Sequence, residues 1–200
     1  HRRALDGEAK LLLSAGRALV GTEVRIVDRD DRPLPVGSVG EVAIRGPQLM
    51  SGYWNRPEDS AKALRGGWMH TGDAGMLDDE GFLYIQDRVK DMIVSGGENI
   101  YPREVEEVLF QHPAIADAAV IGVPHEKWGE SVLGFVVLRE GQTATADEII
   151  AYCKSNLGGY KCPRAIEFID VLPRNPSGKG LKREWREPYW QGQGRRVAGS

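Results

Sequence analysis

The sequence predicts an α+β chain in two parts, mainly β to about residue 90 and mixed α+β beyond it. Three observations carry this. Glycine-punctuated alternation dominates the first ninety residues, helical periodicity is confined to one short segment there, and β-branched apolar runs alternate with amphipathic helices afterwards. In chain order, Glu23 to Val27 and Gly40 to Ile44 alternate as half-buried strands, with Gly37, Gly40, Gly46 and Gly52 as punctuation. Pro57 to Leu64 reads as a short helix because Pro57 suits the first helical turn. Asp78-Asp79-Glu80-Gly81 reads as a tight turn into the strand Phe82-Leu83-Tyr84-Ile85. From Pro102 to Phe110, Val105, Val108 and Leu109 share a helical face and glutamates favour the N-terminal end. Ala116 to Val123 and Ser131 to Leu138 read as buried strands. Thr145-Ala146-Asp147-Glu148 is a capping box opening a helix whose Ile149, Ile150, Cys153 and Leu157 share a face, closed by Gly158-Gly159. Ile166 to Ile169 supplies a strand and Leu181 to Trp185 a last helical turn. The change of pattern sets a domain boundary near Lys90.

The 200 residues suffice for one domain or two small ones, and 41% hydrophobic with 28% charged residues excludes disordered and collagen-like classes. Lys and Arg number 26 against 29 Asp and Glu, a net charge of -3, which argues against an electrostatic grip on nucleic acid. Cys153 and Cys162 are too few for a disulfide framework and lack metal-ligand spacing. No run of about 18 apolar residues occurs, so the expectation is no membrane span, no signal peptide, and cytoplasmic residence. The chain opens His1-Arg2-Arg3 without Met, which fits a start inside a longer protein.

Five segments could carry chemistry. Asp73 in Thr71-Gly72-Asp73 is either a turn aspartate bonded to its own backbone or a carboxylate that accepts both hydroxyls of a ribose. The charges in Gln86-Asp87-Arg88-Val89-Lys90-Asp91 mark a solvated strand edge or a polar hinge at the domain boundary. Ser95-Gly96-Gly97-Glu98-Asn99 is a plain strand-to-helix loop or a place where bare backbone lets a narrow ligand pass. It is no Walker loop, and no Gly-x-Gly-x-x-Gly occurs. Lys179, flanked by Gly178 and Gly180, is an exposed loop lysine or a cation free to reach an anion. From Lys154 to Arg186, eight basic residues face three acidic ones, which suggests a phosphate-rich small molecule or a solvated basic face. His125 reads as a loop histidine, and Trp128 either stacks on a purine or covers the small core.

The order of these segments is more telling than any one of them. Gly40-Glu41-Val42-Ala43-Ile44-Arg45-Gly46-Pro47 with Gly52-Tyr53-Trp54-Asn55-Arg56-Pro57-Glu58 comes first, then His70-Thr71-Gly72-Asp73. Asp87-Arg88-Val89-Lys90-Asp91-Met92-Ile93 with Gly96-Gly97-Glu98-Asn99-Ile100 follows, then Pro173-Arg174-Asn175-Pro176-Ser177-Gly178-Lys179. From about residue 17 to 187 this resembles the adenylate-forming superfamily of acyl-CoA synthetases, nonribosomal adenylation domains and firefly luciferase. The wording around Lys90 and Gly96 looks most like the fatty or aryl acid:CoA ligases. The resemblance implies a carboxylate substrate, ATP and CoA, with magnesium accompanying ATP on no ligand nameable here. It also implies an acyl adenylate that a thiol then resolves.

By motif, Asp73 and Arg88 would hold the ribose hydroxyls, and Lys179 would be the catalytic lysine, bridging carboxylate and α-phosphate electrostatically. Lys90 matches the hinge, Gly96 and Gly97 the loop that meets the pantetheine arm, and Trp128, Tyr160, Lys161 and Arg164 the nucleotide end of CoA. Residues 1–89 would be the last, β-barrel-like part of the large domain and 90–200 the whole small mobile domain. One departure is Asp87, where the family has glycine, which sets a charge beside the ribose site. The family's phosphate loop, adenine segment and acyl pocket lie upstream of this chain, so the chain is expected to be inactive alone. Two alternatives stay open: an adenylating domain that acylates a carrier-protein thiol, and a free-standing binding module that kept the fold.

Overall fold

The computed structural model describes residues 9–174 and 180–192, and the chain divides between Lys90 and Asp91 into two units. In the first, β1 (Gly16–Arg17), β2 (Glu23–Val27), β3 (Gly40–Arg45), β4 (Met69–Leu77) and β5 (Phe82–Arg88) form an antiparallel sheet in the order β1-β5-β4-β3-β2. The sheet is open among the described residues, with no closed barrel. Its small core gathers Val27, Ala43 and Trp68. The guanidinium carbons of Arg25 and Arg45 lie 3.9 and 4.5 Å from the Trp68 ring centre, so cations and indole share the polar side of that core. The helix α1 (Pro57–Ala63) starts on proline as expected and buries nothing, ending one residue before the predicted Leu64. A short 3-10 turn (Ala9–Leu13) precedes the sheet.

Two turns in this unit repeat one solution. Asp78 Oδ1 accepts the backbone N–H groups of Glu80 and Phe82 at 3.0 and 2.9 Å, and Gly81 supplies a φ of 78°. Asp28 Oδ1 does the same for Asp30 and Arg32 at 2.8 and 2.9 Å, with Asp31 at φ 60° in glycine's place. Aspartate imitates a backbone turn with its own carboxylate, which is why Asp leads both segments.

The second unit comprises β6 (Ile93–Ser95), β7 (Glu98–Ile100), α2 (Pro102–Phe110), β8 (Ile115–His125), β9 (Gly129–Leu138), α3 (Ala146–Asn156), β10 (Ala165–Phe168) and α4 (Lys182–Trp190). The long hairpin β8–β9 is its centre: β10 joins β9 in parallel, and β6 meets β9 at Ser95 opposite Gly129. Both faces of the hairpin are covered. Ala118, Val120, Val132 and Val136 point to one face with Val105 and Leu109 of α2 and Ile149 and Cys153 of α3. Ala119, Ile121, Leu133 and Phe135 point to the other, where Trp185 and Tyr189 of α4 pack. Burial on both sides explains why these strands read as continuous apolar runs rather than alternation.

The Thr145 capping box forms as expected, with Glu148 N–H donating to Thr145 Oγ1 at 3.3 Å and Thr145 N–H to Glu148 Oε2 at 2.8 Å. Two expectations change. The Gly96-Gly97 segment is not a strand-to-helix loop but the two-residue turn of the β6–β7 hairpin, since Ser95 pairs with Glu98. Its φ angles of 62° and 89° match the type I′ turn that joins twisted strands, and glycine adopts them without strain. The last helix also runs on to Trp190, across Pro188. Contacts from Trp185 and Tyr189 to Phe135, with ring centres 6.2 and 6.4 Å apart, outweigh the bond that Pro188 cannot donate. No described helix is long and apolar enough to cross a membrane.

Cys153 and Cys162 are both free and buried. Burial, with Cys162 nearby as a smaller cause, pushes the Cys153 thiol up to about 11. Only roughly one such thiol in a thousand is ionised at about pH 8. Cys153 is therefore expected to resist a thiol reagent in the native chain and to react promptly in denaturant, as timed thiol titration would measure.

Candidate functional site

Asp73 and Arg88 lie fifteen positions apart in sequence and become direct cross-strand partners on β4 and β5. Arg88 Nε donates to Asp73 Oδ1 at 2.9 Å, with the side chains 46% and 32% exposed. The pair is thus formed yet open to a ligand. A carboxylate acceptor beside a guanidinium donor on one sheet face can grip vicinal hydroxyls. Asp73 sits on Arg88 rather than back-bonding its own turn. Asp87, the residue that departs from the family pattern, turns Oδ1 onto the Arg88 backbone N–H at 2.7 Å.

The chain then passes through a 3-10 turn (Val89–Asp91) that exposes Lys90. Past it, Gly96, Trp128 and Arg164 come together. Gly96 N–H donates to the Trp128 carbonyl at 2.9 Å, and a Cβ on Gly96 would stand 2.9 Å from Trp128 Cε3. Lys127 Nζ and the Arg164 guanidinium lie 4.6 and 5.7 Å from the indole centre. Trp128 therefore neither joins the core nor stands free: it lies against the glycine turn, flanked by two cations. Gly97 has open space where a side chain would be.

Tyr160 and Lys161 share a 3-10 turn (Gly159–Lys161), with Tyr160 half-exposed. Lys161 Nζ donates to both oxygens of Glu104 at 2.6 and 2.8 Å. Burial opposes its charge, but the Glu104 bond and charge prevail and raise its pKa. Lys179 lies outside the described residues.

The basic segment is not the bare cationic face that its local composition suggests. Four of its cations pair with acids from elsewhere in the unit: Lys161 with Glu104, Arg174 with Asp117 at 2.7 Å, Lys182 with Glu106 at 2.8 Å, and Arg186 with Asp91 at 3.0 Å. A net local excess in sequence becomes a set of ties in space.

One polar cluster has no counterpart in the sequence reading. Asp31, Glu41 and His70 bring ligand-type atoms within 4.8 Å of one another. Among the described residues this is the group best suited by composition to hold a cation, but Arg65 already lies there. Its guanidinium donates to Asp31 at 2.8 Å and to Glu41 at 3.1 Å, so the cluster does not fit magnesium. The Arg65 hydrogen bond holds the Asp31 carboxyl below its ordinary value of 3.8, against a smaller opposing effect of burial. No local periodicity announces this cluster, because Asp31 comes from a turn, Glu41 and His70 from two strands and Arg65 from a 3-10 segment.

Comparison with known proteins gives matches in both units of the chain. The family described as AMP-binding enzyme matches residues 2–54, and AMP-binding enzyme C-terminal domain matches residues 104–179. The fatty acid–acyl-carrier-protein ligase ScoC of Streptomyces coeruleorubidus is 44% identical over 187 residues, 94% of this chain and 36% of that protein. Feruloyl-CoA synthase of Amycolatopsis is 45% identical over 90% of this chain and 37% of its own length. Among solved structures, the o-succinylbenzoate CoA synthetase of Bacillus subtilis with its acyl-adenylate intermediate superposes with a TM-score of 0.81 at 42% identity, covering 90% of this chain and 37% of that one. The chain thus spans little more than a third of the relatives it matches.

Two outcomes test this geometry. Gly96→Ala strains a positive φ and pushes on Trp128, so it should cost about 1–2 kcal/mol and move the Trp128 indole N–H resonance. Gly97→Ala strains the backbone alone and should leave that resonance in place. Asp31, with its lowered folded pKa, stabilises the fold above pH 3.8, and this contribution is lost as pH falls through the folded value. Acid unfolding of Asp31→Asn should accordingly be shallower in that window than that of the parent chain.

Proposed function

The chain belongs to the adenylate-forming, AMP-binding enzymes, and from that premise we propose that it is the C-terminal part of an ATP-dependent acyl-CoA synthetase. The observation that carries the reading is the Asp73–Arg88 pair, formed across strands and open to solvent. In the first half-reaction a fatty or aryl carboxylate attacks the α-phosphate of ATP and expels pyrophosphate. In the second, the CoA thiol displaces AMP from the acyl adenylate. Asp73 accepts from the ribose hydroxyls, and Arg88 donates to the same sugar. Lys179 supplies positive charge where carboxylate and α-phosphate meet, an electrostatic role that needs no proton transfer.

In the same proposal the residues up to 89 complete the large domain, and those from 90 on form the mobile small domain. Lys90 is the hinge about which the small domain turns between half-reactions. The Gly96-Gly97 turn then offers bare backbone to the pantetheine arm. Trp128, backed by Arg164, stacks on the CoA nucleotide end, with Tyr160 and Lys161 beside it. Lys161 would exchange Glu104 for phosphate as CoA arrives. Cytoplasmic residence, with peripheral contact to a membrane through the acid substrate, belongs to this reading too. A carrier-protein thiol is the second reading for the acceptor, favoured by the likeness to an acyl-carrier-protein ligase at 44% identity against 45% for a CoA synthase.

In the full-length protein, Lys179→Ala should slow acid-dependent pyrophosphate exchange by about a hundredfold or more, the scale of losing one transition-state contact. Thioester formation from supplied acyl adenylate should change little, and equal loss in both half-reactions would refute the role. Offering CoA and an acyl carrier protein in parallel decides the acceptor. The 200-residue chain alone should form no acyl-CoA from acid, ATP and CoA. Turnover abolished by Lys179→Ala in that chain would contradict the proposal.

A further inference from the structure

The aspartate proposed for the ribose stands on a bulge. On β3, Glu41 pairs with Ala74 and Ala43 with His70, so the three residues Thr71, Gly72 and Asp73 of β4 stand opposite Val42 alone. Such a bulge re-aims a side chain, but it takes backbone donors off the ladder, and each needs another partner. Two side chains provide them. Asp73 N–H donates to Thr71 Oγ1 at 3.1 Å, and Thr71 Oγ1 in turn donates to the Val42 carbonyl at 2.9 Å. Gly72 N–H, at a φ of 71°, donates to Glu41 Oε1 at 3.1 Å.

The other oxygen of Glu41 holds the start of the bulge. His70 Nδ1 lies 2.9 Å from Glu41 Oε2, and since a carboxylate only accepts, Nδ1 carries the hydrogen. Arg65 donates to the same oxygen while gripping Asp31, which fixes the carboxylate from behind. Glu41 is only 16% exposed, and the His70 side chain 2%. The carboxylate thus touches the residues on both sides of Thr71 and lies one residue from Asp73, without reaching the exposed face where Asp73 meets Arg88.

We propose that Glu41 is a positioning residue for nucleotide binding, holding the Thr71-Gly72-Asp73 bulge in the shape that presents the Asp73 carboxylate beside Arg88. The inference rests on the reading of Asp73 as the ribose ligand. It assigns Glu41 no contact with the nucleotide. Loss of the carboxylate frees Gly72 N–H and His70 together, and the bulge relaxes toward other shapes in which Asp73 no longer faces the sugar.

The test uses the full-length enzyme in acid-dependent pyrophosphate exchange. Glu41→Ala should raise the KM for ATP about tenfold, the scale of one charge-assisted hydrogen bond, with kcat at saturating ATP changed far less. Glu41→Gln should recover part of the loss, because its amide oxygen still accepts from Gly72 while its amide nitrogen cannot accept from Arg65. A merely structural glutamate would instead lower the folded fraction and thus kcat, leaving KM as it was, and that result in folded Glu41→Ala overturns the proposal. Asp73→Asn is the control that separates the two readings. If it raises the KM for ATP while Glu41→Ala does not, Asp73 remains the ribose ligand and the positioning role falls. If Asp73→Asn leaves the KM unchanged, the ribose reading itself is wrong and the inference goes with it. Should Glu41→Ala not accumulate as folded protein, Glu41→Asp carries the test. It keeps the charge but withdraws the oxygens by one methylene, and an unchanged KM for ATP then overturns the role.

Discussion

The register of the β4–β5 ladder is the constraint on which the Asp73–Arg88 pair depends. Side chains alternate between faces, so a slip of one residue would send Arg88 to the face opposite Asp73 and dissolve the pair. Two devices hold the register. At one end, Asp78 closes the turn by accepting two backbone N–H groups on Oδ1, and Tyr84 Oη donates to its other oxygen at 3.2 Å. Toward the other, the ladder shifts between Ala74 and Gly75. A side chain at Gly75 would meet the Tyr84 carbonyl at 2.7 Å and Val42 Cγ2 at 3.0 Å, so glycine permits the strands to close there. Any bulkier residue must part β4 from its neighbours, and the geometry of Asp73 and Arg88 would shift with it.

Much of the architecture is legible in the sequence because one-dimensional signals with a local cause survive folding. The Thr145 box, Pro57 and Pro102 each act within a single helical turn, and each appears where its chemistry demands. What escapes is set by tertiary contact. Glu98 and Asn99 are exposed and polar, and β7 spans three residues, so nothing local marks Gly96-Gly97 as a hairpin turn rather than a loop. Pro188 argues locally for a stop, yet α4 continues, since Tyr189 completes the apolar stripe against Phe135 and Trp190 Nε1 donates to the Gly122 carbonyl at 3.0 Å.

The site divides in the same way. Asp73 and Arg88 can each be picked out as charged residues in a telling context, but only the sheet makes them neighbours. Trp128 can be flagged as an indole in a loop, whereas its seat on Gly96 follows from β6 meeting the start of β9. Glu41 reads as one more polar residue of an alternating strand, which by periodicity faces solvent. It is instead mostly buried, turned toward Gly72, His70 and Arg65 beside the bulge that stands opposite Val42. A bulge leaves no trace in hydrophobic periodicity, and so neither does the residue that supports it.

Charge shows how far a local count can mislead. The excess of cations between Lys154 and Arg186 would, if unpaired, project a field attractive to any phosphate. The pairing with Glu104, Glu106, Asp117 and Asp91 changes what these cations do. Arg186 and Asp91 are 11% and 13% exposed, and Lys182 and Glu106 are 17% and 15%, so these charges are spent on each other at short range in a poorly screened setting. Breaking one partner of such a pair strands the other, so the ties are costly to remove even where their net stabilisation is small. Arg186 ties α4 to the residue that follows Lys90, and Arg174 and Lys182 tie the flanks of the segment that carries Lys179 to β8 and α2. With neighbouring charge neutralised in this way, attraction of a phosphate would rest on individually placed cations rather than on a diffuse basic face. Specificity of that kind depends on where each chain segment is held, which is what the ion pairs govern.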